Sequence, residues 1–283
     1  MHSRWLLNLG LLVLVAGLAL LAVFRPGPQQ DAAGPPLTAL DPESVARVRI
    51  EKPDREPGVL EKSAGAWRLT SPVPARANRF NVEALLRLAR APVAARLPAG
   101  EETSQYGFDS PQARVWLGDE EIVIGGLHPF KNQHYVRYKN ETVLIPSHHV
   151  AVALYPYGNF IDSRLIEEEL KPVAIRLPGF TLTLKDGAWQ KTPRDEKLTT
   201  DRIHDFVAEW RNARALSVER YSGKPALKRV IFTLTKNGKT ENLVLGILAY
   251  EPDFILYRPD EGLEYHFPEE IGKRLLRLSA GED

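Results

Sequence analysis

The tripeptide Gly65-Ala66-Trp67 returns 122 positions later as Gly187-Ala188-Trp189 in matching surroundings, so the chain is read as a duplication that folds into two related units. A lysine-bearing strand candidate precedes each copy (Leu60-Glu61-Lys62 and Leu182-Thr183-Leu184-Lys185). A short strand, a proline (Pro72, Pro193) and an amphipathic helix follow. Glycine supplies the turn and tryptophan anchors a core. Gly65, Trp67, Gly187 and Trp189 are therefore structural anchors of the repeat, and both tryptophans are expected to lie buried beneath their unit's main helix.

In the first copy, Val45 to Glu51 sets Val48 and Ile50 against Arg47, Arg49 and Glu51, the alternation of a half-buried strand. Gly58 to Lys62 and Ala66 to Thr70 read as a hairpin. Asn78 is placed to cap a helix over Arg79 to Arg90, whose Phe80, Val82, Leu85, Leu86 and Ala89 recur at three- and four-residue steps before Pro92. Four strand candidates follow: Ala113 to Leu117, Glu121 to Ile124, His134 to Lys139 and Thr142 to Ile145. A short closing helix is read at His148 to Leu154.

The second copy keeps this order, with strands at Pro172 to Leu177 and Phe180 to Lys185 and a helix at Asp201 to Arg211 capped by Thr199 or Thr200. Ile203, Phe206, Val207 and Trp210 repeat the apolar stripe of the first helix. Ile124-Gly125 matches Leu245-Gly246, and Tyr135-Val136-Arg137-Tyr138 matches Phe254-Ile255-Leu256-Tyr257. Each copy reads as an antiparallel sheet with one main helix, an α+β unit; whether the two share a sheet is open. The organisation expected is an anchor at 1–25, a Pro/Gly linker at 26–40, repeats at 41–156 and 172–278 joined by a connector at 157–171, and a tail at 279–283.

Trp5 to Phe24 is an uncharged run that as a helix spans roughly the 30 Å core of a bilayer. It predicts a single transmembrane helix with the body exported. A cleaved signal peptide is the competing reading, since Gly17-Leu18-Ala19 offers small residues to a signal peptidase; the apolar run continues past that site and ends against Arg25. Beyond it the chain is near neutral. Of 37 Lys and Arg against 36 Asp and Glu, Arg4 and Arg25 lie at the amino terminus, which leaves 35 against 36. With basic and acidic residues interleaved, nucleic acid is not an expected partner. The absence of cysteine excludes disulfides, thiol nucleophiles and cysteine-ligated zinc.

The anchor WLLNLGLLVLVAGLALLAVFRPG, the GAWRLTSP turn and strand, Tyr106-Gly107-Phe108 before Pro111, the YVRY strand and Phe160-Ile161-Asp162-Ser163-Arg164 together resemble a bacterial domain-of-unknown-function family, four-three-four-zero. The resemblance covers nearly the whole chain, and its motifs are structural. It implies a membrane-anchored accessory or scaffold part of an ABC-type export system, including those linked to gliding motility, and supplies no catalytic residues to carry over.

Four of the seven histidines, His128, His134, His148 and His149, cluster in sequence. If Asn140-Glu141 forms the hairpin turn, His134 stands opposite Ser147 and beside His148, and His128 or Asp119 could complete a metal site. Solvated loop residues are the plainer reading, and the second copy has no equivalents. Glu167-Glu168-Glu169 and Glu101-Glu102 carry no sign of the spatial pairing that acid-base catalysis needs. Ser104, Ser147 and Ser163 lack a nucleophile elbow, and Gly125-Gly126 lacks the lysine of a phosphate loop. Trp67, Trp189, Trp210 and Trp116 could stack carbohydrate, but their repetition favours core packing. No cofactor is called for.

Three functional readings follow. The first is a non-catalytic extracytoplasmic scaffold at the inner membrane, with the bilayer at residues 5–24 and a membrane protein as partners. The second is a periplasmic module binding glycan or peptide between the copies, and the third a hydrolase.

Overall fold

The computed structural model describes residues 10–12, 14–15, 17, 34–98 and 103–279. Most of the expected membrane span, residues 26–33 of the expected linker, Glu101-Glu102 and 280–283 of the expected tail lie outside them. Two antiparallel sheets dominate. The first, of nine strands, is built from β1 (Arg47–Glu51), β2 (Gly58–Ser63), β3 (Ala66–Ser71), β4 (Ala75–Arg76), β5 (Ala95–Arg96), β6 (Ala113–Leu117), β7 (Glu120–Leu127), β8 (Gln133–Tyr138) and β9 (Glu141–Pro146). The second has eight: β10 (Lys171–Arg176), β11 (Thr181–Lys185), β12 (Ala188–Thr192), β13 (Ser217–Arg220), β14 (Lys228–Lys236), β15 (Lys239–Ala249), β16 (Asp253–Arg258) and β17 (Leu263–Pro268).

The sheets repeat one strand order. The first runs β4-β3-β2-β1-β6-β7-β8-β9-β5 and the second β12-β11-β10-β14-β15-β16-β17-β13. They differ at one edge, where β4 covers β3 and, among the described residues, no strand covers β12. The helices are α1 (Arg79–Leu86), α2 (Ser147–Val150), α3 (Thr200–Asn212) and α4 (Glu269–Leu276).

This corrects the α+β expectation. The fold is mostly β, because in each unit a three-stranded opening and a four-stranded meander join through β1·β6 or β10·β14 into one sheet, while the helices stay short. The transmembrane part of that expectation is not met either: among the described residues no helix is long and apolar enough to cross a membrane.

Asn78 caps α1, its Oδ1 accepting from the amides of Phe80 and Asn81 at 3.1 and 3.3 Å. The helix is shorter than its periodicity predicts, tightening into a 3-10 turn at Arg87–Arg90. Val82, Leu85, Leu86 and Ala89 are buried, but Phe80, expected on the same stripe, is 76% exposed. On α3 the whole stripe Ile203, Phe206, Val207 and Trp210 is buried. Residues Pro35 to Thr38, read as linker, are tied to the first unit. Leu37 and Thr38 donate to the carbonyls of Ala91 and Ala89, both at 2.9 Å.

A smaller core closes the far face of the first sheet. Val123 alternates with Ile122 and Ile124, so it points away from the main core, and Tyr106 and Phe108 cover it with Leu97 and Tyr135. Their approach explains Gly125. A Cβ there would lie 2.3 Å from the Tyr106 carbonyl oxygen and 2.9 Å from the Phe108 ring. Gly246 plays the same part, with a Cβ 2.9 Å from that of Ala226. Each unit adds an aromatic pair, Tyr106 on Tyr135 at 4.6 Å and Tyr221 on Tyr257 at 3.8 Å. Gly125→Ala is therefore expected to lower stability by about 1–3 kcal/mol in urea titration. Gly126→Ala, whose added carbon would meet nothing closer than 3.6 Å, should stay within about 0.5 kcal/mol of the parent.

Candidate functional site

The segment from Tyr157 to Leu170 is packed between the units: Phe160, Ile161, Leu165, Ile166 and Leu170 are buried in a core that runs from one sheet to the other. Its backbone bonds to both sides. Asn78 N donates to Phe160 O at 2.7 Å and Asp162 N to Arg76 O at 2.8 Å on the first unit, and Ala215 N donates to Ser163 O at 2.9 Å on the second.

A charged network fills the joint. From β4 the Arg76 guanidinium donates to Glu261 Oε1 at 2.7 Å, to the Arg164 carbonyl at 2.6 Å and to Asp162 Oδ2 at 3.3 Å. Arg164 forks onto Asp162, with Nη2 2.9 Å from Oδ2, and reaches Glu168 at 2.9 Å. Arg258, at the end of β16, donates to the Leu165 carbonyl at 2.9 Å and lies 3.5 Å from Glu261. The Tyr265 hydroxyl donates to Glu261 Oε2. First unit, connector and second unit each contribute. The side chains of Arg258, Glu261, Asp162 and Arg76 are only 7%, 8%, 11% and 12% exposed.

The electrostatics follow from that burial. Desolvation alone would raise the Asp162 carboxyl, but the hydrogen bonds from Arg164 and the charge of Arg76 outweigh it and hold it below the ordinary carboxylate range. Burial, and then the Glu261 charge, push the Tyr265 hydroxyl well above its usual value. For Arg76 burial opposes the charge, yet Glu261, Tyr265 and Asp162 together raise its pKa. On another face of the joint, desolvation first and Arg55 second bring the Lys52 ammonium down to about 8, and it donates to the Tyr155 carbonyl.

Beside the network opens a cleft of about 930 Å³. Lys62, Trp67 and Arg68 of the first sheet and Arg79, Glu83, Leu86 and Arg87 on and just after α1 form one wall. Connector residues Glu167 to Glu169, with Lys236, form the other. The glutamates of that run are partners of cations: Glu167 lies 3.8 Å from Arg76, Glu168 pairs with Arg164, and Glu169 lies 3.8 Å from Lys236.

Trp67 is half-buried at this cleft and Trp189 is 8% exposed against α3. The expectation of two buried tryptophans thus holds fully only in the second unit. Trp210 is fully buried against Phe232 at 5.1 Å, and Trp116 lies under the Arg49 guanidinium at 5.5 Å. The four tryptophans are spread over both units, three on strands and Trp210 on α3, and make no common stacking face.

The histidines do not converge as a metal centre requires. The hairpin turns at Lys139-Asn140, one residue earlier than expected, pairing His134 with Ile145, two residues from the Ser147 the sequence implied. His134 Nδ1 still meets Ser147 Oγ at 3.0 Å. His128 Nδ1 accepts from the Phe130 amide at 3.1 Å, and His148 packs on His149 at 4.0 Å. Asp119 precedes β7 at the end opposite His128, a strand length away. Among the described residues no three or more His, Cys, Asp or Glu are grouped to hold a metal. Burial lowers the His134 pKa, so the folded state binds its proton less readily than the unfolded chain. Its contribution is intact above the unfolded value of about 6.5 and is lost as pH falls through the lower folded value. Urea midpoints at neutral and mildly acidic pH should show that loss, and His134→Gln should remove this share of it.

A model of the family described as Domain of unknown function (DUF4340) matches residues 67–229, more than half of the 283-residue chain. The chain belongs to this family. The matched span opens on Trp67 and takes in Arg76, Asp162 and Arg164, so the connector and its first-unit partner are family territory, whereas Arg258, Glu261 and Tyr265 lie past its end. No curated protein and no solved structure matches the chain.

Proposed function

We propose that this protein works through its surfaces, as a non-catalytic scaffold or accessory subunit serving an ABC-type transport complex. In this reading the body lies on the periplasmic side of the inner membrane and residues 5–24 associate with the bilayer. The observation that carries it is the joint: two equivalent β units are locked together by a connector whose ionic groups bond to one another, which produces a rigid two-part platform. Rigid scaffolds position binding surfaces well. Support for the address comes from the uncharged run Trp5 to Phe24. Crosslinking in native membranes followed by mild-detergent pull-down tests the role, with recovery of a membrane transport component as the expected result and no membrane partner as the contrary one. Protease accessibility from the periplasm and carbonate extraction test the address.

A second reading, a periplasmic module that binds an envelope glycan or peptide, is favoured by the open cleft between Trp67 and the connector. A screen of envelope polymers against the purified chain separates it from the first.

A further inference from the structure

Pairing inside the cleft leaves a surplus of cations, three without an ion pair among the described residues against one such carboxylate, Glu43. Glu167, Glu168 and Glu169 are matched to cations, and Arg79 is matched to Glu83. Lys62, Arg68 and Arg87, all exposed and all on the first-unit wall, have no side-chain hydrogen bond or ion pair among the described residues. Opposite charge on a ligand would complete them. Trp67 is half-buried, directly across from Lys62 in the β2·β3 register, and Arg68, the next residue along β3, projects from the other face of the same rim. The second unit shows the alternative fate of the same tryptophan: Trp189 is buried under α3. Trp67 thus keeps a face that its twin has lost.

We propose that this cleft docks an acidic peptide segment of a protein partner, its carboxylates meeting Lys62, Arg68 and Arg87 and an apolar side chain resting on Trp67. Tryptophan and arginine are the residue types that most often dominate binding energy at protein interfaces, and unpaired cations on one wall steer an anionic chain into place. The proposal rests on the scaffold reading and gives its partner a chemical character.

The test uses the full chain in mild detergent and a short fluorescein-labelled peptide of aspartate and glutamate around a Leu-Phe pair. Saturable anisotropy is expected, with the dissociation constant rising about tenfold in the Lys62→Glu/Arg87→Glu double variant and falling affinity as salt is raised. Trp67→Phe should retain more affinity than Trp67→Ala. Unchanged thermal melting of the double variant, whose changes are both on exposed side chains, separates lost binding from lost folding. Absence of saturation, equal affinity of the double variant, equal binding of a lysine analogue, or tighter binding of polygalacturonate than of the peptide would each overturn the proposal. In crosslinking, a membrane partner recovered equally by wild type and double variant overturns the cleft assignment while leaving the scaffold reading standing. Loss of that partner in the double variant alone upholds both.

Discussion

Arg76→Ala is expected to destabilise the protein by about 3–5 kcal/mol, the cost of taking one cation out of a buried ion network, and to lower the melting temperature by on the order of 10 °C. Arg76 is the group through which first unit, connector and second unit meet, since it bonds Glu261, Asp162 and the Arg164 carbonyl at once. Removing it takes the closest cation from Glu261, which keeps Arg258 and the Tyr265 hydroxyl, and one of two cations from Asp162, which keeps Arg164; the two side chains are 8% and 11% exposed. A buried ion network is a poor source of net stability compared with apolar packing, so its value here is in fixing how the units sit. Replacing both ends, as in Arg76→Met with Glu261→Leu, should therefore cost less than the two single changes summed, a coupling that a double-mutant cycle measures directly. A loss below about 1 kcal/mol for Arg76→Ala would show that the network is only decoration. At acid pH the same argument acquires a sign. The Asp162 contribution is fully present above the ordinary carboxylate pKa of about 3.9 and is lost as pH falls through its depressed folded value.

Trp210→Ala should cost a further large amount, about 3–5 kcal/mol. Trp210 is fully buried on α3, edge-on to Phe232 at 5.1 Å, so truncation opens a cavity the neighbours cannot fill. Its indole nitrogen has no hydrogen-bond partner among the described residues, so Trp210→Phe gives up volume and little else and should retain most of the stability. Trp67→Ala, by contrast, truncates a residue that already faces solvent on one side. Denaturant midpoints for the three variants would rank Trp210→Ala lowest, and a Trp67→Ala value as low would remove the distinction between the units on which the cleft assignment depends.

The duplication was readable because its markers are local: a glycine turn followed by tryptophan, and an apolar stripe at helical spacing. The β character was harder to see. Strands of two residues such as β4 and β5 are too short to display alternation, and they form because longer neighbours offer them an unpaired edge. The hairpin at Lys139-Asn140 was misplaced by one residue, since Lys139 takes a left-handed conformation with φ 54° that an unbranched polar residue can adopt but does not announce. The ion network lay beyond reach for another reason. Arg76 and Glu261 are 185 positions apart, and each taken alone resembles a solvated charge. One signal was present: Arg258 continues the buried alternation of Phe254 and Leu256 along β16, a place where a charge requires partners. The Phe160 to Arg164 segment was noticed only as a likeness to a family, and its physical content, a brace between two sheets, emerged from the hydrogen bonds.

The unequal sheet edges differ in what they offer a neighbouring chain. In the first unit β4 shields β3, whereas β12 ends the second sheet with no further strand beside it among the described residues, an arrangement that invites a neighbouring chain to add on. Lys191 counters this. It lies on the same side of β12 as the buried Trp189, with its ammonium 5.5 Å above the Phe180 ring and 3.8 Å from Asp195, an inward-pointing charge of the kind that blunts open edges. Pro193 follows immediately and withholds the next amide donor. Of the two equivalent edges, the one without a covering strand is thus the one that carries a cation and a proline where an added strand would begin.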